Sequence, residues 1–259
     1  MTYDEPLISL QQVGKTYDNG HVAIEGFDLN VRSGETLTLL GPSGCGKSTV
    51  LRLIAGLASP TSGRIVWSSP ERRKNLGVVF QEPTLMPWAS VFDNVYLPLR
   101  LAGASRDSAG PQVRQALRQV GLSDFADALP RELSGGMKMR CAIARALATV
   151  PNVILMDEPF AALDEVTRFR LNDELLELQL ELKATIVFVT HSVFESAYLS
   201  SRIVVMSRRK GEKIDEIAID PGLQRTADFR HTPTFADICR RASLALREAT
   251  DQQIGYAEI

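Results

Sequence analysis

"ETLTLLGPSGCGKSTVLRLIAGL", residues 35 to 57, decides the fold. It opens as an apolar run, passes through a glycine-rich turn, and continues with Val50, Leu51, Ile54 and Leu57 at spacings of three to four residues. That change of period predicts a buried strand feeding a helix. "SPTSG" at 59 to 63 then stops the helix. The turn itself, Gly41, Pro42, Ser43, Gly44, Cys45, Gly46, Lys47, Ser48 and Thr49, fits G-x-x-x-x-G-K-[ST]. In that pattern backbone N–H groups at a helix N-terminus wrap a phosphate. Lys47 then reaches the β- and γ-phosphates of a nucleotide, and the Ser48 hydroxyl ligates Mg²⁺.

Working outward, "LISLQQV" and "VAIEGFDLNV" predict an antiparallel β layer ahead of the buried strand. Downstream, "NVILMD" at 152 to 157 and "TIVFVT" at 185 to 190 are continuously apolar, which suits parallel strands covered on both faces. Between them, residues 166 to 183 put Leu171, Leu175, Leu178 and Leu182 on one helical stripe. Residues 85 to 130, punctuated by Pro87, Pro98 and Pro111, read as a small helical insertion with helices near 112 to 120 and 124 to 129. "SRRKGEKIDE" at 207 to 216 is a turn between charged edges. A final helix is predicted from Thr234 to Glu248, with Phe235, Ile238, Cys239, Ala242 and Leu246 on its docked side.

The 259 residues, 44% of them hydrophobic, suffice for one substantial α/β core with a small subdomain. A net charge of -2 gives no basic field to hold a nucleic acid, so none is expected as a partner. Cys45, Cys141 and Cys239 are odd in number and far apart, which predicts free thiols and no zinc site. The N-terminal stretch lacks the pattern of a signal peptide, and nowhere do 18 apolar residues follow one another. The reading is a soluble, cytoplasmic chain that reaches a membrane only through a partner.

Four further features carry chemistry. "VILMDEP" ends a strand with Asp157, placed for a Mg²⁺ shell, and Glu158, placed to polarise an attacking water. Gln81 and His191 each close a strand, where open α/β sheets bind ligands. A lone His or amide there is as readily structural, and its company decides. "LSGG", holding Ser134, Gly135 and Gly136, heads a basic, Ala-rich helix and has the parts of a second anion site. One γ-phosphate cannot easily be enclosed by both sites of one small chain. A dimer resolves this, with Ser134 and Gly136 of each copy covering the nucleotide held on the other copy's Lys47 loop.

In these features the chain resembles the ATPase subunit of an ATP-binding cassette transporter, from about residue 7 to 220. The resemblance rests on the phosphate loop, the Q-loop Gln81, the signature "LSGGMKMR", the strand ending Asp157-Glu158, the D-loop "AALD" ending at Asp164, and the switch His191. It implies the cassette-type α/β P-loop fold: a mixed central sheet, an antiparallel β layer and a small helical subdomain. It implies a RecA-like core over 1–84 and 141–220, a helical signature subdomain over 85–140, and a helical tail over 221–259 packed on the core. ATP and Mg²⁺ are the implied ligands, with Tyr17 stacking on adenine, Gln81 joining Ser48 and Asp157 at the metal, and His191 contacting the γ-phosphate.

Met137 stands where most cassettes have Gln, which puts only a side-chain contact in doubt. With "LMPWASVFDNVYLPLRLAG" at 85 to 103, it is similar to nitrate, sulfonate and taurine importers. The implied partners are a second copy head to tail, a transmembrane permease and, indirectly, an extracytoplasmic solute-binding protein. The implied place is the cytoplasmic side of the inner membrane, and Pro87, Trp88 and Val91 are candidates to line the permease groove, with a plain core role equally open for Trp88. Soluble cassettes of DNA repair insert a coiled coil between Gln81 and the signature; here that interval is 53 positions without heptads. An exporter remains the other alternative. The tail is too short for the regulatory barrel of sugar importers.

Overall fold

The structure, a computed structural model, describes residues 6–71 and 75–251. The described residues form two compact units, 6–71 with 185–251, and 75–184.

In the first unit, β1 (Ile8–Thr16), β2 (Val22–Val31) and β4 (Ser62–Trp67) form an antiparallel sheet in the order β2-β1-β4. The expected layer over the first two runs is therefore present, and β4 extends it. β3 (Thr36–Leu40), β7 (Thr185–Thr190) and β8 (Arg202–Met206) are buried at every position. β3 pairs in parallel with both β7 and β8, so unbroken apolar runs have become strands covered on both faces. β9 (Lys213–Ala218) returns antiparallel to β8, so the turn expected over 207 to 216 ends at Glu212 and its last four residues are strand. α1 (Lys47–Ile54) follows β3, and α6 (Val193–Leu199) follows β7.

The last described helix, α7 (Pro233–Asp251), buries Phe235, Ile238, Ala242, Ala245 and Ala249. These recur at alternating spacings of three and four, the period of a helix laid along a surface. Cys239 and Leu246, expected on that stripe, flank it and are half-buried. The helix runs three residues past the predicted Glu248, and the alanine at 249 that extends its buried face carries little hydrophobic signal.

A buried ion cluster ties this unit together. The Arg202 guanidinium, on β8 and only 6% exposed, donates to both Glu35 oxygens at 2.6 and 3.1 Å, to Glu216 Oε1 at 2.8 Å, and to the Asn30 carbonyl. One side chain thus joins the end of β2, the approach to β3, and β9. Bidentate pairing suits the planar guanidinium.

In the second unit, β5 (Leu76–Val79) runs parallel to β6 (Val153–Asp157). α2 (Val91–Leu101) is capped by Ser90 and α3 (Arg106–Gln119) by Ser105, each accepting from a first-turn N–H. Both helices contain a proline, Pro98 and Pro111, so these residues do not punctuate the chain as expected. The cap at Ser105 starts α3 six residues before the predicted 112. Residues 124 to 129 form no full helix, only the end of a 3-10 turn at Ser123–Phe125. α4 (Gly135–Leu147) and α5 (Glu165–Leu182) complete the unit. On α5, Leu171, Leu175 and Leu178 are buried as predicted, while Leu182 in its last turn is 37% exposed. The three cysteines are free thiols, and burial pushes Cys141 up to about 12 and Cys239 up to about 11.

Removing Arg202 would leave buried carboxylate oxygen without its partner, so Arg202→Ala is expected to destabilise folding by about 3–5 kcal/mol in chemical denaturation. Burial alone would raise Glu216, but hydrogen bonds from Arg202 and Lys213 outweigh it and leave its carboxyl lowered. Its stabilisation is therefore fully present above the unfolded value near 4.5 and lost as pH falls through the folded one. Glu216→Gln should flatten that acid limb.

Candidate functional site

The phosphate loop leaves β3 at Leu40 and enters α1 through Gly46, whose φ is 102°. A Cβ there would sit 2.7 Å from the Ala23 carbonyl oxygen and 2.8 Å from the Ile24 side chain, so only glycine fits. Lys47 is 4% exposed, and its ammonium donates to the carbonyls of Gly41 at 2.8 Å and Pro42 at 3.0 Å. The loop therefore wraps its own lysine. The first intrahelical bond of α1 is Val50 N–H to Gly46 O at 2.9 Å, so the N–H groups of Lys47, Ser48 and Thr49 have no partner within the helix. Burial raises the Cys45 thiol, against the pull of Lys47 and Arg208, which keeps a proton rather than a second anion at the loop.

Two side chains meet this loop within the first unit, and a third stands level with it. Tyr17 hydrogen-bonds Thr49 Oγ1 at 3.2 Å, its ring lies 6.4 Å from His21 in a stacked orientation, and Lys15 Nζ stands 5.4 Å from its centroid. Arg208 Nε, from the β8–β9 turn, donates to the Ser43 carbonyl at 3.1 Å. His191 is exposed at the end of β7; since Leu40 pairs with Thr190, Gly41 and His191 leave neighbouring parallel strands at one level.

The second unit repeats that arrangement. Val79 pairs with Met156, so Gln81 and the Asp157-Glu158 pair also leave neighbouring parallel strands at one level. Glu158 holds φ 46°, uncommon for a residue other than glycine. Ser134 caps α4, accepting from Met137 N–H at 3.3 Å, which leaves its hydroxyl proton to be donated outward. Ser134 and Gly135 are exposed, whereas Gly136 is buried, a Cβ on it meeting Thr167 at 2.8 Å. Asp164 caps α5 through Thr167 N–H at 2.9 Å, and that bond holds its carboxyl low.

Val91, expected beside Pro87 and Trp88 in a permease groove, is instead fully buried as the first residue of α2, where its carbonyl accepts from the Cys141 thiol. Trp88 is 78% exposed and borders a cleft of about 400 Å³ with Met86, Tyr96, Leu97 and Arg100. Sequence reading missed His21, which stacks on Tyr17 four residues before it, and Arg208, whose contact with Ser43 joins segments far apart in the chain.

Residues 24–161 match the ABC transporter family. The chain belongs to that family. It is 43% identical to an ATP-binding protein of Brucella abortus, over 98% of this chain and 100% of the relative. It is 44% identical to an aliphatic sulfonates import ATP-binding protein of Pseudomonas syringae pv. syringae, over 89% of this chain and 92% of that one. Among solved structures it is similar to a dimeric ATP-binding cassette in a post-hydrolysis state with ADP and Pi, at TM-score 0.72 and 33% identity, covering 82% of this chain and 99% of that one. This ABC ATPase therefore has the cassette fold and hydrolyses ATP.

Gly44 (φ 81°) has open space at its Cβ position, unlike Gly46. Gly44→Ala should cost about 1–2 kcal/mol through backbone strain alone. Gly46→Ala should cost more and weaken binding of a fluorescent ATP analogue at least about tenfold, because its methyl meets backbone that cannot give way.

Proposed function

We propose that this ABC ATPase powers the import of a small solute of the sulfonate class through a separate transmembrane permease, working as a head-to-tail pair of copies at the cytoplasmic face of the membrane. The observation that carries the reading is the exposed start of α4, where Ser134 offers a hydroxyl proton and Gly135 lies open beside it at a helix N-terminus. It is a second anion site in a chain that already has a complete phosphate loop.

In this reading Lys47 and the N–H groups of the loop hold the β- and γ-phosphates, and Tyr17, fixed by its bond to Thr49, offers its ring to adenine. Ser48, Gln81 and Asp157 present hydroxyl, amide and carboxylate oxygens, a hard donor set that fits Mg²⁺ together with phosphate oxygens. When bound, Mg²⁺ supplies charge neutralisation at those phosphates. Glu158 accepts a hydrogen bond from the attacking water and orients it toward the γ-phosphorus; His191 donates to the γ-phosphate. Ser134 and Gly136 of the second copy close over the same phosphate, and Asp164 lies at the turn between the copies. The core, signature subdomain and tail divide as 1–84 with 141–220, 85–140 and 221–259.

Among the described residues no helix is long and apolar enough to cross a membrane, which agrees with a separate permease. The cleft beside Trp88 supplies an exposed aromatic for one of its helices. The likeness to a sulfonates import protein supports the solute class, and a solute-binding protein would deliver the solute outside.

Glu158→Gln should keep ATP binding, lose at least about 99% of turnover, and run as an ATP-dependent dimer in gel filtration. A monomer at saturating ATP would refute the pairing. Ser134→Arg should stop hydrolysis while leaving the affinity of the monomer for ATP within about twofold, because the residue acts on the other copy's nucleotide.

A further inference from the structure

His191 is the single residue between the last residue of β7, Thr190, and the cap of α6, Ser192. Its side chain is exposed. The residues on both sides of it, by contrast, are closed into one hydrogen-bonded ring. Ser192 N–H donates to Thr190 Oγ1 at 3.0 Å, the Thr190 hydroxyl donates to Glu195 Oε2 at 2.5 Å, and Glu195 N–H donates to Ser192 Oγ at 3.3 Å. This is a capping box with a threonine hydroxyl inserted between the cap N–H and the glutamate. Thr190 and Glu195 are 2% and 5% exposed. A buried carboxylate is costly, and a helix of this length could be capped by Ser192 alone.

We infer that Glu195, acting through Thr190, is a positioning residue that fixes the backbone on either side of His191 and so aims its imidazole at the γ-phosphate. The inference rests on the reading of His191 given above. The ring spans the peptide groups before and after His191, so a rotation there must break one of its three bonds. A misplacement of about 1 Å at a group acting on a reacting phosphate costs up to about a hundredfold in rate.

The test measures ATP turnover and ATP affinity of the full chain carrying Thr190→Val, Glu195→Ala and Glu195→Gln, each alone and with His191→Ala. Thr190→Val preserves shape while removing the relay. It and Glu195→Ala should lower kcat about tenfold or more with KM for ATP within about twofold, and Glu195→Gln, which still accepts from Thr190, should retain most activity. In the His191→Ala background, Thr190→Val should have no further effect. Unchanged kcat in Thr190→Val, or an equal loss in both backgrounds, would overturn the inference. Should His191→Ala itself turn over at full rate, the reading of His191 fails instead. The ring is then judged by amide hydrogen exchange at Ser192, which Thr190→Val must accelerate if the inference is to stand.

Discussion

A lysine ammonium buried in its own loop is the constraint on which the rest depends. A charge as hidden as that of Lys47 demands acceptors, and the carbonyls of Gly41 and Pro42 supply them. The Cys45 N–H also donates to the Pro42 carbonyl, at 3.3 Å, so the loop is braced from within. On the two-copy reading, a loop already ordered by these bonds takes a phosphate without having to pay for ordering itself. The close seat of Gly46 on the Ala23 carbonyl carries the same constraint into the antiparallel layer, and Arg208 braces the loop at Ser43.

Strand register then delivers the remaining chemistry. Parallel strands end together, so a residue just past one end stands level with a residue just past its neighbour's. Gly41 and His191 are related in this way in one unit, Gln81 and Glu158 in the other. Helix starts do the rest: Ser134, Asp164 and Ser192 each cap a helix by accepting a first-turn N–H. A polar side chain held at a cap has lost its rotamer freedom already. The same residues can then meet a phosphate or a partner at little further entropic cost.

Those two rules explain what was legible in the sequence. The phosphate loop, the apolar strands and the leucine stripe of α5 are local patterns, and their periods survive folding. Ser134 and Asp164 could be read because the signals for a cap and for a family motif fall on the same residue. Pro98 and Pro111 misled because a helix can tolerate a proline once its cap and buried face are secured. Val91 misled because nearness to Pro87 and Trp88 in sequence was read as a shared surface, whereas Val91 begins helix α2 and is buried while Trp88 stands before its cap and is exposed. Arg208 on Ser43 and Arg202 on Glu35 join residues more than 160 positions apart, and no local pattern announces such pairs.

On the two-copy reading, the two candidate anion sites differ in kind, which sets an order of events. The loop around Lys47 holds a full positive charge, and a charge-assisted bond to phosphate is about twice as strong as a neutral one. The start of α4 offers a hydroxyl and partial charges, a feature worth only about 0.3–1 kcal/mol when exposed. On the two-copy reading, nucleotide must therefore settle first on the loop, and the signature adds its smaller share only once a γ-phosphate is there to receive it. A weak second grip makes association of the copies sensitive to a single phosphate, since removing that group removes most of what joins them. A stronger grip would hold the copies together after hydrolysis and stall the cycle. The absence of an acidic residue from the first turn of α4 keeps the grip usable, and the exposure of Ser134 keeps it weak.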